Sequence, residues 1–236
     1  MANDYFSFKQ FTIYQDKSAF KVGTDGVLLG ASADIASVSR ILDIGTGTGL
    51  IAIMLAQRCN AEIVALEPDL GSFIQASENV SRCRWRNRIK VEHTDLQHFN
   101  PGQEKFDLIV TNPPYFSDSL KSPDLRKSAA RHNDSLTSGE ILKGVSRLMN
   151  DEGHLELIMP FVEGNVFIAE AQKYGLYCNN ILKIKPLPTA EIRRLIITFS
   201  RHQIKPSERF LTIEYGRRHE FTDEYKNLTK DFYLKF

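Results

Sequence analysis

Cysteine is scarce in this chain. Cys59, Cys83 and Cys178 are odd in number, far apart and in no CxxC pair. That pattern excludes a disulfide framework or a structural zinc site and fits reduced thiols of a cytosolic protein. The six histidines show no HExxH-like spacing, so no metal is expected. No apolar run is long enough for a membrane span, and Met1 to Gln10 holds neither the basic nor the apolar region of a secretory signal. Internal repeats and low-complexity stretches are missing too. What remains is ordinary soluble composition, 42% hydrophobic and 25% charged over 236 residues. That is enough for one decorated α/β domain and too little for two comfortable ones.

The formal charge of +1 hides an asymmetry. Residues 1–182 carry 18 Lys+Arg against 22 Asp+Glu, whereas residues 183–236 carry 12 against 7. A near-neutral chain with one basic end suits a localised anionic partner, although a solvated basic face fits equally well.

Along the chain, Phe6 to Val22 alternates as a hairpin around Gln15-Asp16-Lys17, and Val27 to Ala31 reads as helix. Strands follow at 41–44, 63–66, 89–93, 106–110 and 155–159, with helices predicted over 50–57, 70–80, 137–149 and 162–174. Two more strands, at 177–184 and 192–199, share the short linker Lys185 to Thr189 and are therefore expected antiparallel. The predicted fold is α/β: a doubly wound, mostly parallel seven-stranded sheet, Rossmann-like, with a terminal antiparallel hairpin. It forms one domain over 1–236, with a hairpin and helix extension at 1–36, a sheet core at 37–202 and a basic tail at 203–236, helical from Asp223.

Leu42-Asp43-Ile44-Gly45-Thr46-Gly47-Thr48-Gly49 is a strand that breaks into a GxGxG loop and then a helix. Glycines let the backbone approach a ligand closely, and the helix start offers free N–H groups to a carboxylate. Glu67 ends the next strand, where an acid accepts hydrogen bonds from both ribose hydroxyls of an adenosine cofactor. Asp95, just past the third strand, is placed to reach an adenine amine or to be a plain loop carboxylate. Asp43, Gly45, Gly47, Gly49, Glu67 and Asp95 thus form the expected cofactor set. Nicotinamide and flavin enzymes use a related loop, so the loop alone does not fix the cofactor.

Asn112-Pro113-Pro114-Tyr115 supplies the missing half. It ends the apolar strand Phe106 to Val110, and an amide, two stiffened residues and an aromatic make a small rigid claw for a planar group bearing an amine. In the expected sheet order the claw faces the glycine loop, as transfer between a cofactor and an in-line nitrogen requires. Asn112 and the Pro113 carbonyl would accept the two amine N–H bonds and stabilise the growing positive charge. Tyr115 would stack on the base, and no strong general base is needed. A proline-rich turn that merely ends a strand is the bland alternative.

With these motifs the chain resembles the bacterial tRNA1(Val) adenosine-37 N6-methyltransferases of the class I S-adenosylmethionine-dependent superfamily. The likeness runs through Phe8 to Phe11, Lys21 to Ala31, Asn112 to Phe116, Ala130-Arg131-His132, Leu136-Thr137, Tyr225 and Leu228 to Phe236. It implies S-adenosylmethionine as cofactor, with Lys21 to Gly26 beside its methionine end and Gly23 and Asp25 close to it; Asn112 would also touch the cofactor. The implied substrate is the adenine 3′ to the anticodon of a valine tRNA, a loop base that costs little to unstack. No membrane or stable protein partner is implied. Rivals are an N5-glutamine methyltransferase acting on release factors, an rRNA guanine N2-methyltransferase, and an RNA-binding module that has lost catalysis.

For the RNA, Pro114, Phe116, Arg131, His132, Arg193 and Arg194 are the expected contacts, within a wider basic stretch from Lys185 to Arg218. A second cluster, Arg82, Arg84, Arg86, Arg88 and Lys90 around Trp85, lies at the end of its strand away from the site, which favours a structural role.

Overall fold

A computed structural model describes residues 3–114 and 136–236. The chain opens with the strands β1 (Tyr5–Ser7) and β2 (Thr12–Tyr14) and the helix α1 (Thr24–Ser32). Then come β3 (Arg40–Ile44), α2 (Leu50–Arg58), β4 (Glu62–Leu66), α3 (Leu70–Arg82), β5 (Ile89–Glu92) and β6 (Phe106–Thr111). After residue 135 the described chain forms α4 (Ser138–Leu148), β7 (Met149–Pro160) and α5 (Phe161–Ala171). It closes with β8 (Tyr177–Lys185), β9 (Arg194–Ser200), β10 (Ser207–Thr212) and α6 (Asp223–Thr229).

The main sheet has the order β10-β8-β9-β7-β6-β3-β4-β5. Strands β3 to β7 run parallel to one another, and β9 is antiparallel to both β7 and β8. Covered on both faces, the inner strands read as unbroken apolar runs: Ile41, Leu42 and Ile44 in β3 and Leu108, Ile109 and Val110 in β6 are all buried. One face packs α1, α2, the β1–β2 hairpin and α6; the other packs α4 and α5. The expected seven-stranded core with its antiparallel β8–β9 pair is present.

Two features differ from the sequence expectation. The hairpin turns at Lys9-Gln10 rather than at Gln15-Asp16-Lys17: Tyr5 pairs with Tyr14, Ser7 with Thr12, and the Phe8 amide donates to Phe11 O at 2.8 Å. Buried Phe8 and Phe11, stacked at 4.6 Å, close the turn, while Gln15 is taken up by Asn3 O and the Val22 amide. The second is β10. Residues 203–236 contain the expected helix, but Ser207–Thr212 pairs in parallel with β8 as an eighth strand. Only Leu211 of that strand is buried, so the sequence carries little of the alternation that marks a strand.

Helix ends follow local chemistry. Asp69 caps α3 through the Ser72 amide at 2.8 Å, and Thr137 with Glu140 forms a full capping box on α4. Helix α1 crosses α2 at Gly30, where a β-carbon would come within 2.9 Å of Met54 Sδ. Among the described residues, no helix is long and apolar enough to cross a membrane.

Candidate active site

The sheet brings the glycine loop and the claw side by side. Strands β3 and β6 are direct parallel neighbours, with Ile44 opposite Thr111. The buried Thr111 hydroxyl donates to Ile44 O at 2.9 Å, tying the two strand ends together. Gly45 and Asn112 therefore leave the sheet from adjacent strands. Pro113 is buried, and Asn112 and Pro114 are half-buried. Tyr115, Phe116, Arg131 and His132 lie outside the described residues.

Beyond β3 the backbone turns through left-handed conformations at Gly45 (φ 70°), Gly47 (φ 61°) and Gly49 (φ 82°). The Gly45 and Thr46 amides both donate to Leu66 O at 2.9 Å, pinning the loop to the end of β4. A β-carbon at Gly45 or Gly47 would meet no atom of the described residues within 4 Å. The loop thus presents bare backbone to open space, the cradle that a bound cofactor needs.

Two carboxylates brace this loop. Asp43 is fully buried and accepts from the Thr46 hydroxyl at 2.6 Å. Desolvation pushes its pKa up to about 7 against the pull of that hydroxyl. Glu67, also buried, accepts from the Gly47 amide at 2.8 Å and from the Asp69 amide at 3.0 Å. Burial raises its pKa while those two amides oppose the shift. Each of its oxygens keeps a second lone pair, so the acid can shape the loop and still accept hydroxyls.

Other expected residues divide. Gly23 is the N-cap of α1. Lys21 is exposed, with its ammonium 3.4 Å from Asn3 O. Asp95 is already engaged: the His98 amide and ring Nδ1 both lie 2.8 Å from its Oδ1. Partial burial raises its pKa, yet the His98 contacts hold it below the usual value. Asp95 therefore caps its own turn. Arg194, expected on the RNA, donates from Nε to Asp25 Oδ2 at 2.8 Å, so two residues assigned to different ligands meet each other. Arg193 is exposed, its backbone bridging the Ile184 carbonyl and the Phe161 amide.

Part of the cluster before β5 serves the fold. Arg88 donates to the carbonyls of Ala56, Cys59 and Ala61, Arg82 lies over the Tyr14 ring at 4.5 Å, and Trp85 packs on the core beside Phe11. Sequence reading missed Thr111 and Thr46, whose hydroxyls lock the loop. The one signal was a polar residue at the buried end of each motif. Among the described residues, no group of three or more His, Cys, Asp or Glu side chains could hold a metal ion.

Residues 18–174 match the family model of the methyltransferase small domain. Bacteroides thetaiotaomicron has a tRNA1(Val) (adenine(37)-N6)-methyltransferase 48% identical to this chain, covering 99% of each. The chain belongs to that methyltransferase family. A Trichodesmium erythraeum enzyme of the same name is 43% identical over the full length of both chains. Among solved structures, a predicted O-methyltransferase from Agrobacterium tumefaciens superposes with a TM-score of 0.66 at 21% identity, covering 88% of this chain and 96% of that one. The glycopeptide N-methyltransferase MtfA, solved with S-adenosyl-L-methionine, gives 0.56 at 10% identity, covering 77% and 100%. These likenesses establish the methyltransferase fold.

Proposed function

We propose that this methyltransferase transfers a methyl group from S-adenosylmethionine to the exocyclic N6 of adenosine 37, next to the anticodon of tRNA1(Val), in the cytoplasm. The observation that carries the reading is adjacency: Gly45 and Asn112 emerge from neighbouring strands locked by the Thr111 hydroxyl, in a chain whose full-length relatives bear that name. The bare backbone at Gly45 and Gly47 fits the cofactor. Glu67 would accept its ribose hydroxyls, the start of α2 would take its carboxylate, and Asp43 would hold the loop in shape. Lys21, Gly23 and Asp25 would border its methionine end. When bound, S-adenosylmethionine supplies an electrophilic methyl on a sulfonium.

The chain's own task is to orient a weak nucleophile whose lone pair is shared with the ring. The Asn112 side-chain oxygen and the Pro113 carbonyl accept the amine's two N–H bonds, favour pyramidal nitrogen and stabilise the charge that develops there. Proline stiffness at Pro113 and Pro114 keeps those acceptors in place. Tyr115 would stack on the base, a contact worth roughly 1–3 kcal/mol, and Phe116, Arg131 and His132 would contact the RNA. The proton leaves to water once nitrogen turns acidic. The partner is the anticodon stem-loop of a valine tRNA, with no stable protein subunit required.

The test incubates purified protein and labelled S-adenosylmethionine with tRNA lacking the modification, then identifies the labelled nucleoside by mass. N6-methyladenosine at position 37 of a valine tRNA is expected. Labelled N2-methylguanosine, or label only on a release factor, would overturn the substrate.

A further inference from the structure

We propose that the turn Tyr215–His219 is a docking tip for the tRNA phosphate backbone, away from the base being methylated; the proposal rests on the tRNA reading above.

The turn is built by the strand that the sequence did not announce. Past the end of β10, Ile213 and Glu214 continue the ladder by donating to Lys185 O at 2.9 Å and Pro186 O at 3.0 Å. The chain then folds back on itself. The Tyr215 amide donates to Glu220 O at 2.9 Å, the Thr222 amide to Ile213 O at 3.0 Å, and Glu214 bridges Phe221. A short two-stranded ribbon therefore extends beyond the sheet edge.

That edge is the functional one. Thr212 of β10 is level with Lys185 of β8, Ile184 with Arg194 of β9, and Arg194 with Pro160 of β7. Strand β7 is the parallel neighbour of β6, which leads into Asn112. Four ladder steps separate β10 from the claw strand, roughly 19 Å at about 4.8 Å per step. The tip thus lies beyond one nucleotide's reach of the claw and on its side of the sheet.

The tip's chemistry suits phosphate. Arg217 and Arg218 are exposed, next to Tyr215 at 51% exposure, and no acid interrupts residues 215–219. Neither arginine is in an ion pair among the described residues. Of the acids nearby, Glu214 is spent on the His219 amide, Glu220 is exposed beside the turn, and Asp223 and Glu224 line an open cleft of about 390 Å³ with Pro188 and Tyr215. The tip's shape is also fixed. His219 takes a left-handed conformation (φ 69°) that non-glycine residues seldom adopt, and Glu214 Oε1 accepts its amide at 2.8 Å. The contrast with Arg88, spent on three core carbonyls at the opposite sheet edge, is direct.

The test compares wild type with Arg217→Ala/Arg218→Ala on unmodified full-length tRNA and on a short RNA holding only the anticodon loop. On full-length tRNA the variant should raise KM about tenfold with kcat unchanged. Its salt dependence of binding should flatten by roughly 1.5–2 in log–log slope. On the loop RNA the two proteins should match, and Arg217→Lys/Arg218→Lys should keep the wild-type slope. Unchanged cofactor binding would show that the variants fold. Identical KM and slope on full-length tRNA would overturn the proposal and leave the turn for a protein partner, and equal losses on both RNAs would overturn it as well. If wild type itself forms no N6-methyladenosine, the tRNA reading falls, whatever the variants do.

Discussion

Arg194 and Asp25 face each other across 2.8 Å, joining the start of β9 to the first turn of α1. Gly26, the next residue, sits against Leu50 at the head of α2. The ion pair therefore holds α1 against the exit of the glycine loop. For a partly exposed pair the coupling is about 1 kcal/mol at most. Arg194→Ala should raise KM for S-adenosylmethionine roughly fivefold and leave KM for tRNA within about twofold. Asp25→Asn should act alike, and the double variant should add nothing further. A rise in the tRNA KM alone would return Arg194 to the RNA.

Asn112→Ala should lower kcat by about two to three orders of magnitude, as loss of a transition-state acceptor does. Cofactor affinity, measured by calorimetry, should stay within about twofold. Undiminished turnover would remove Asn112 from the chemistry.

Gly47→Ala separates the ligand from the fold. A β-carbon there touches no atom of the described residues within 4 Å, but the residue must adopt φ 61°, at a cost of about 1–2 kcal/mol. Thermal denaturation should fall by only a few degrees, while cofactor affinity drops at least tenfold. Equal losses in both would mean that the open side of the loop faces no ligand.

Glu156, buried mid-strand in β7, accepts from the Asp34 amide at 3.0 Å. Desolvation lifts its pKa from 4.5 to about 7. The fold therefore binds this proton more tightly than the unfolded chain does. Its stabilising contribution is complete below pH 4.5, is lost as pH rises to about 7, and changes no further above that. The loss is on the order of 3 kcal/mol. Glu156→Gln keeps the acceptor without the charge, so its advantage in Tm over wild type should grow by several degrees between pH 5 and pH 8. A constant difference would mean that Glu156 stays charged in the fold.

The sheet core was legible because its strands are buried on both faces and its ligand loops break at glycine and proline. Gly45, Gly47, Glu67 and Asn112 needed only chain order and the strand-end rule to be placed on one edge. The hairpin turn was misplaced because Gln15-Asp16-Lys17 is polar enough to look like a turn, whereas the real one is closed by two aromatic rings. Strand β10 escaped notice because an edge strand buries only Leu211. The Arg194–Asp25 contact went unforeseen since a sequence gives no distance between residues 169 positions apart. The Thr111 hydroxyl was invisible for the same reason: its partner lies in another strand, 67 residues away.

The β1–β2 hairpin and the last helix share one aromatic cluster. Phe8 stacks on Tyr233 at 5.9 Å, Tyr225 and Tyr233 meet through their hydroxyls at 3.3 Å, and the Lys9 amide donates to Phe232 O at 2.8 Å. The Phe8–Tyr233 and Lys9–Phe232 contacts close loops of more than 200 residues, so their entropy must be met before they stabilise anything. A two-stranded hairpin is marginal alone, and this one packs on residues 225–236. The segment after it, Lys21 to Gly26, is the proposed border of the cofactor's methionine end. If Lys21 to Gly26 borders the methyl donor as proposed, that wall of the pocket is anchored through a hairpin held by the opposite end of the chain.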